Sequence, residues 1–244
     1  MSDGSADITA DIALELDDVH ASYGTFRALF GVSIRVPAGG VCALLGPNGA
    51  GKTTVARVAS GLLAPTSGRV RIAGADVTGQ PAWKLARLGV AHAVEGRSVF
   101  TSLSVEDNLR LAFRRSLGAA GMAAGLERAY ASFPKLGQRR QQEAGTLSGG
   151  EQRMLALARV LADPPAVLIA DELSLGLAPV VVDEVYATLA SIRDAGTSLL
   201  IVEQQVPRAI ALSDVVVVLG KGSVRYAGPA DQIGDLVEEL LPTT

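Results

Sequence analysis

Apolar and polar positions divide the chain into three stretches of different period. In the first, Ile12 to Leu16 and Val19 to Tyr23 alternate or cluster apolar residues as strands do, and so does Val32 to Val36. Val41 to Leu45 is a short, continuous apolar run, the pattern of a strand buried on both faces. It runs into a glycine-rich turn. A helix is predicted next, from about Lys52 to Ser60 with Gly61 as its stop, and then a strand from Arg69 to Ile72. The second stretch, from about Gln80 to Thr146, has helical periodicity. Within it, Ser104-Val105-Glu106-Asp107 reads as a capped helix start whose apolar face continues through Leu109 and Phe113. Gly118 to Gly125 reads as a loop or a weak helix.

The third stretch returns to short apolar runs. Val167 to Ala170 is a buried strand that ends in Asp171-Glu172. Pro179 to Ala195 fits a helix with proline in its first turn. Leu199 to Val202 and Val215 to Leu219 are strands, and Gly220-Lys221-Gly222 turns the chain into a hairpin partner, Ser223 to Tyr226. Asp231 to Leu241 reads as a terminal amphipathic helix. The pattern predicts a single α/β domain over residues 12–241. Residues of about 80–146 form a helical subdomain inserted in it, and residues 1–11 are a flexible tail.

Composition narrows the classes. Of the 244 residues, 48% are hydrophobic and 19% charged, which excludes a disordered chain and allows a sizeable core. A net charge of −3 argues against a nucleic-acid binder that works by broad electrostatics. The pairs Arg114-Arg115 and Arg139-Arg140 are short and read as solvated helix surface. The single cysteine, Cys42, sits in an apolar strand and reads as a buried residue. His20 and His92 show no metal-ligand spacing. No apolar run approaches the roughly 20 residues that span a bilayer, and the start of the chain lacks a secretory pattern, so a cytosolic protein is expected.

Gly46-Pro47-Asn48-Gly49-Ala50-Gly51-Lys52-Thr53-Thr54 matches G-x-x-x-x-G-K-[ST] between a predicted strand and a predicted helix. Its glycines let successive N–H groups turn towards phosphate oxygens, and the helix start adds unpaired donors. Lys52 supplies a mobile charge for the β and γ phosphates, and the Thr53 hydroxyl can ligate Mg²⁺. Asp171 and Glu172 end an apolar strand, and in a parallel sheet such ends gather beside a phosphate loop. There Asp171 is placed to hold Mg²⁺ and Glu172 to orient or deprotonate water. Read locally, Ser148 and Glu151 in Leu147-Ser148-Gly149-Gly150-Glu151-Gln152 form a capping box. Two glycines in a first turn weaken a helix, which makes sense where a backbone must approach a ligand.

With these motifs in this order, the chain resembles the ABC ATPases, whose signature is LSGGQ, from about Ile12 to Gly228. The resemblance implies a P-loop NTPase core with an N-terminal antiparallel β subdomain and the inserted helical subdomain. It implies two ATPase domains packed head to tail, with ATP between the phosphate loop of one and the signature of the other. Ser148, Gly149, Gly150 and Glu151 would then meet nucleotide held by the partner, with Ser148 and Gly150 at the γ phosphate. Tyr23 would stack on adenine. The segments Glu95 to Phe100, Ser174 to Pro179 and Val202 to Gln205 are similar to the smaller ATPase subunit of branched-chain amino acid importers. That implies two transmembrane permease subunits, an extracytoplasmic solute-binding protein acting indirectly, and a place at the cytoplasmic face of the membrane.

The chain departs from the wider family pattern at several positions. Glu95 stands where most members carry the glutamine that gives Mg²⁺ an oxygen, and a carboxylate can do the same. Gln204 replaces the usual histidine. It can donate to the γ phosphate but never becomes a cation. Ala178 replaces an aspartate, and Val94 and Leu173 stand where proline is common in the importer subfamily. The implied function is an importer motor that hydrolyses Mg-ATP. Two other readings stand beside it: a nucleotide-gated dimerisation switch with weak hydrolysis, and the ATPase of a urea-type importer. DNA-repair and translation members fit poorly, since the chain has no heptad insert and room for one ATPase domain only.

Overall fold

The computed structural model describes residues 11–93, 99–160, 164–204 and 206–234. Two sheets organise it. The first joins β2 (Phe26–Pro37), β1 (Ile12–Tyr23), β4 (Ser67–Ile72) and β5 (Ala75–Asp76) in that order, all antiparallel. The two N-terminal runs expected as separate strands are one strand, β1. Asp18 interrupts it with φ 49°, and the register shifts there between Leu16 and Val19. Such a bulge keeps a strand continuous while bending it.

The second sheet has six strands in the order β10 (Ser223–Pro229), β9 (Val215–Gly220), β3 (Val41–Leu45), β8 (Ser198–Glu203), β7 (Val167–Asp171), β6 (Val90–Ala93). All its neighbours are parallel except the β9–β10 hairpin. The apolar runs are continuous because both faces are covered. In β3, Val41, Ala43 and Leu45 face one core while Cys42 and Leu44 face the other. The first core packs the sheet against α3 (Val105–Ser116), α4 (Gly118–Ser132), α6 (Gly149–Val160) and α7 (Pro179–Asp194). The second packs it against α1 (Lys52–Ala59) and the antiparallel sheet.

The stretch expected to be helical from about Gln80 to Thr146 holds α2 (Ala82–Arg87), then strand β6, and only from Val105 on helices, α3 to α5 (Pro134–Gln138). Four residues, Val-Ala-His-Ala, carry too little periodicity to mark a strand. Parallel pairing with β7 makes them one. Gly118 to Gly125, read as a loop or weak helix, is the first half of α4. A Cβ on Gly125 would crowd Phe113 and Leu117, so its smallness lets α4 lie close on α3. A further helix, α8 (Val206–Leu212), had no sequence signal strong enough to be read. Of the terminal helix expected over Asp231 to Leu241, the described part is a 3-10 turn, Ala230–Gln232, and residues 235–244 lie outside the described residues. Residues 1–10 of the expected tail lie outside them too. No helix among the described residues is long and apolar enough to cross a membrane.

Candidate nucleotide site

Strand order decides which loops meet. β8 lies between β3 and β7, and all three run the same way. Their carboxyl ends therefore present the phosphate-loop motif, Gln204 and Asp171-Glu172 side by side, the place where open α/β sheets bind ligands. Gly51, with φ 104°, turns the chain into α1. No side chain caps that helix and no acid stands in its first turn, so its N–H groups stay available to an anion.

Lys52 is buried. Its Nζ donates to the carbonyls of Gly46 at 2.8 Å and Pro47 at 3.2 Å and lies 3.8 Å from Glu172 Oε1. Burial lowers its pKa, against the opposing pull of Glu172, Asp171 and Glu203. Of these three carboxyl groups only Glu172 comes within ion-pair distance of the ammonium. Asp171 is 5% exposed, and its Oδ1 has no hydrogen-bond partner among the described residues. A buried, unpartnered carboxyl oxygen beside a phosphate loop is the fit expected of a metal ligand, direct or through water. The Thr53 side chain is exposed at the start of α1.

Glu172 has φ 50°, a left-handed conformation that costs a non-glycine residue about 1–3 kcal/mol and persists only where neighbours impose it. Its N–H donates to Val202 O at 2.9 Å, and Gln204 Nε2 donates to its Oε1 at 3.0 Å. Gln204, read from sequence as a donor to phosphate, is here the partner of the carboxylate.

Tyr23, Asn48, Gly49, Gly51, Lys52, Thr53, Thr54 and Glu172 line one cleft of about 590 Å³. Tyr23 is 40% exposed there, its hydroxyl accepting from Arg57 Nη1 at 3.2 Å. Phe26, Phe30 and Lys221, which carry no sequence motif, line the same cleft. Gly46, Pro47 and Ala50 belong to the same loop. Ala50 is buried, Gly46 and Pro47 offer the carbonyls that hold Lys52, and Glu95 lies outside the described residues.

Ser148, Gly149 and Gly150 are not in this cleft. They line a second one with Leu175, Gly176, Leu177 and Ala178, and the two clefts share no lining residue. The capping box forms as its spacing predicts. Glu151 Oε2 accepts from Ser148 N and Oγ, both at 2.9 Å, and Ser148 Oγ accepts from Glu151 N at 3.3 Å. Burial pushes the Glu151 carboxyl up, but the Ser148 donors and then Arg139 and Lys135 outweigh it and hold its pKa below the usual range. Arg139, read as solvated surface, lies 3.2 Å from Glu151, and Arg140 stacks 4.0 Å from the Tyr130 ring centre.

Two further residues of the site went unassigned in the sequence. His92 on β6 places Nε2 3.7 Å from Asp171 Oδ2, too long for a hydrogen bond, with Nδ1 3.0 Å from Ser60 Oγ. Only pairing β6 beside β7 brings it there. Glu203, the last residue of β8, is buried against Ser174. Its one signal was an acid ending an apolar strand, as Asp171 does.

The ABC transporter family model matches residues 29–174. The chain is 36% identical over 211 residues to the high-affinity branched-chain amino acid transport ATP-binding protein BraG of Pseudomonas aeruginosa, covering 86% of this chain and 90% of that protein. It is 33% identical over 216 residues to the probable branched-chain amino acid transport ATP-binding protein LivF of Archaeoglobus fulgidus, covering 88% and 91%. Among solved structures, an ATP-binding subunit of an ABC transporter is similar at 25% identity and a TM-score of 0.79, over 95% of both chains. The cbiO1 protein of Clostridium perfringens shares the fold at 24% identity and a TM-score of 0.81, over 95% and 96%. Phosphate loop, carboxylate pair and signature stand in one order on one fold, and this chain belongs to the ABC transporter family, as one of its ATPase subunits.

Proposed function

We propose that the chain hydrolyses Mg-ATP as the motor of an importer for branched-chain or related amino acids, docked on two permease subunits at the cytoplasmic face of the membrane and served indirectly by a solute-binding protein. The solute follows from the names of BraG and LivF. Mg²⁺ would be held by Thr53 and Asp171, with Glu95 as a further oxygen donor. When bound it would draw negative charge from the phosphate oxygens.

The chain's own residues have separable tasks in this reading. Lys52 leaves the Gly46 and Pro47 carbonyls for the β and γ phosphates. The loop N–H groups from Gly49 to Thr54 hold the remaining phosphate oxygens, and Tyr23 stacks on adenine. Glu172 orients the attacking water and takes its proton, with Gln204 fixing the carboxylate's direction and donating to the γ phosphate. The observation that carries the reading is Glu172 itself, held in a strained conformation beside Lys52. The separation of the signature cleft from the phosphate-loop cleft favours a working dimer in which Ser148 to Glu151 serve a partner's nucleotide. The helices from Val105 to Thr146 act as the inserted subdomain that carries this signature.

Glu172→Gln keeps the shape of the side chain and removes the base. Its kcat should fall about 10²- to 10⁴-fold, while ATP still binds with the parent's affinity in equilibrium titration. A parent protein that binds ATP but never releases phosphate, alone or with its permeases, would instead support the dimerisation switch.

A further inference from the structure

The strand end that supplies Gln204 also supplies Glu203, and the two grip neighbouring points of the same loop. Glu203 is 3% exposed and Ser174 fully buried. Ser174 N–H donates to Glu203 Oε1 at 2.9 Å and Ser174 Oγ–H donates to Oε2 at 2.8 Å, so both carboxyl oxygens are engaged by one residue. Gln204 N–H adds a third donor to Oε2 at 3.2 Å. Glu203 makes no ion pair among the described residues and does not line the phosphate-loop cleft. A buried carboxyl without a cation at contact distance is costly, and an apolar residue would fill the strand end more cheaply.

The loop it holds has two ends with different surroundings. Glu172, two residues before Ser174, lies in the phosphate-loop cleft with φ 50°. Leu173 and Leu175 to Ala178, on either side of Ser174, line the signature cleft beside Gly149 and Gly150. Ser174 is thus an anchored point on the segment that runs from Glu172 into that cleft.

We propose that Glu203 is a positioning residue: by holding Ser174 it fixes the backbone that keeps Glu172 aimed at the phosphate loop and sets the Leu175 to Ala178 segment against the signature cleft. The inference rests on the ATPase reading of the site. It differs from a merely stabilising contact in what it predicts for catalysis.

The test compares Glu203→Ala, Glu203→Gln and Ser174→Ala in the full chain. A glutamine at 203 can accept from Ser174 N–H through its oxygen and donate to Ser174 Oγ through its amide, so it keeps both contacts to Ser174 and gives up only the one from Gln204 N–H. Glu203→Ala should lose about 10- to 100-fold in kcat for ATP with KM within about 2-fold of the parent, since Glu203 does not line the phosphate-loop cleft. Glu203→Gln should recover most of that loss. The Ser174 amide should exchange with solvent deuterium faster in Glu203→Ala and stay protected in Glu203→Gln. A folded Glu203→Ala with the parent's kcat, or with kcat and KM lost together, overturns the proposal, and so does a Glu203→Gln as impaired as the alanine. If Glu203→Ala does not fold, Ser174→Ala, which removes only the hydroxyl contact, carries the test: kcat lowered at constant KM supports the clamp, and an unchanged kcat overturns it. If the parent itself fails to hydrolyse ATP, the ATPase reading falls, and exchange alone decides the clamp: a Ser174 amide indifferent to Glu203→Ala overturns it.

Discussion

Two helices of this protein begin at glycine-rich turns, and their beginnings are built in opposite ways. At α1, Gly51 turns the chain with φ 104°, no side chain caps the helix, and no acid stands in the first turn. At α6, Ser148 and Glu151 cap each other, and the first turn carries a carboxylate. The first leaves its N–H groups and dipole without an internal partner, and Lys52 folds back on the loop carbonyls. The second is already satisfied as a helix end. Yet a Cβ added to Gly149 would meet nothing within 4 Å, so the turn stays open to an approaching group. An N-terminus that satisfies itself makes a weak phosphate site alone. On our proposal it contributes only when a second chain brings nucleotide already held by its own phosphate loop.

That contrast is open to direct attack. The largest effect belongs to the first turn. Lys52→Ala should weaken ATP binding to the single chain about 10- to 100-fold, the loss of a charge-assisted contact, as read by titration with a fluorescent ATP analogue, and stop hydrolysis. Gly149→Asp should separate these two effects. It places a negative charge where phosphate would approach, so it should leave single-chain binding unchanged and stop hydrolysis. If the chain pairs with itself, mixing these two inactive variants rebuilds one intact shared site per mixed dimer, from the phosphate loop of one and the signature of the other. About a quarter of the parent's phosphate release should return, because half the dimers are mixed and each holds one good site. No recovery at concentrations where dimers form would defeat the shared site.

The smallest effect concerns the capping box. Glu151→Gln weakens the hold on Ser148 and should cost about 0.5–1 kcal/mol in denaturant unfolding at neutral pH. The carboxyl is held below its ordinary value of 4.5 in the folded chain. Its contribution is therefore fully present above that value and is lost as pH falls through the folded pKa. The gap between parent and variant should narrow in unfolding curves taken below about pH 4.5.

Several features were legible along the chain because each is a local matter. The strand Val41 to Leu45 is a run of apolar residues, the phosphate loop is a spacing of glycines ahead of Lys52, and the capping box at Ser148 and the capped start at Ser104 each depend on side chains three residues apart. The helix starts at Lys52, Val105 and Pro179 follow from the same short-range chemistry. Strand β6 was not legible, since four residues of mixed character become a strand only by pairing with β7, more than 70 residues later. The continuity of β1 through Asp18 was hidden for the same reason: its partners, β2 and β4, hold the two halves in one sheet.

The site divides along the same line. Sequence alone determined which residues could meet phosphate and metal, because a glycine-rich turn before a lysine and an acid pair after a buried strand carry their chemistry in their own spacing. Only the tertiary structure decided what those residues hold. Gln204 meets Glu172, Glu203 meets Ser174 and His92 nears Asp171 because β8 lies between β3 and β7 and β6 lies beside β7. Strand order in a parallel sheet is fixed by crossovers that bring distant segments together, and no local pattern of side chains encodes which strand will be the neighbour.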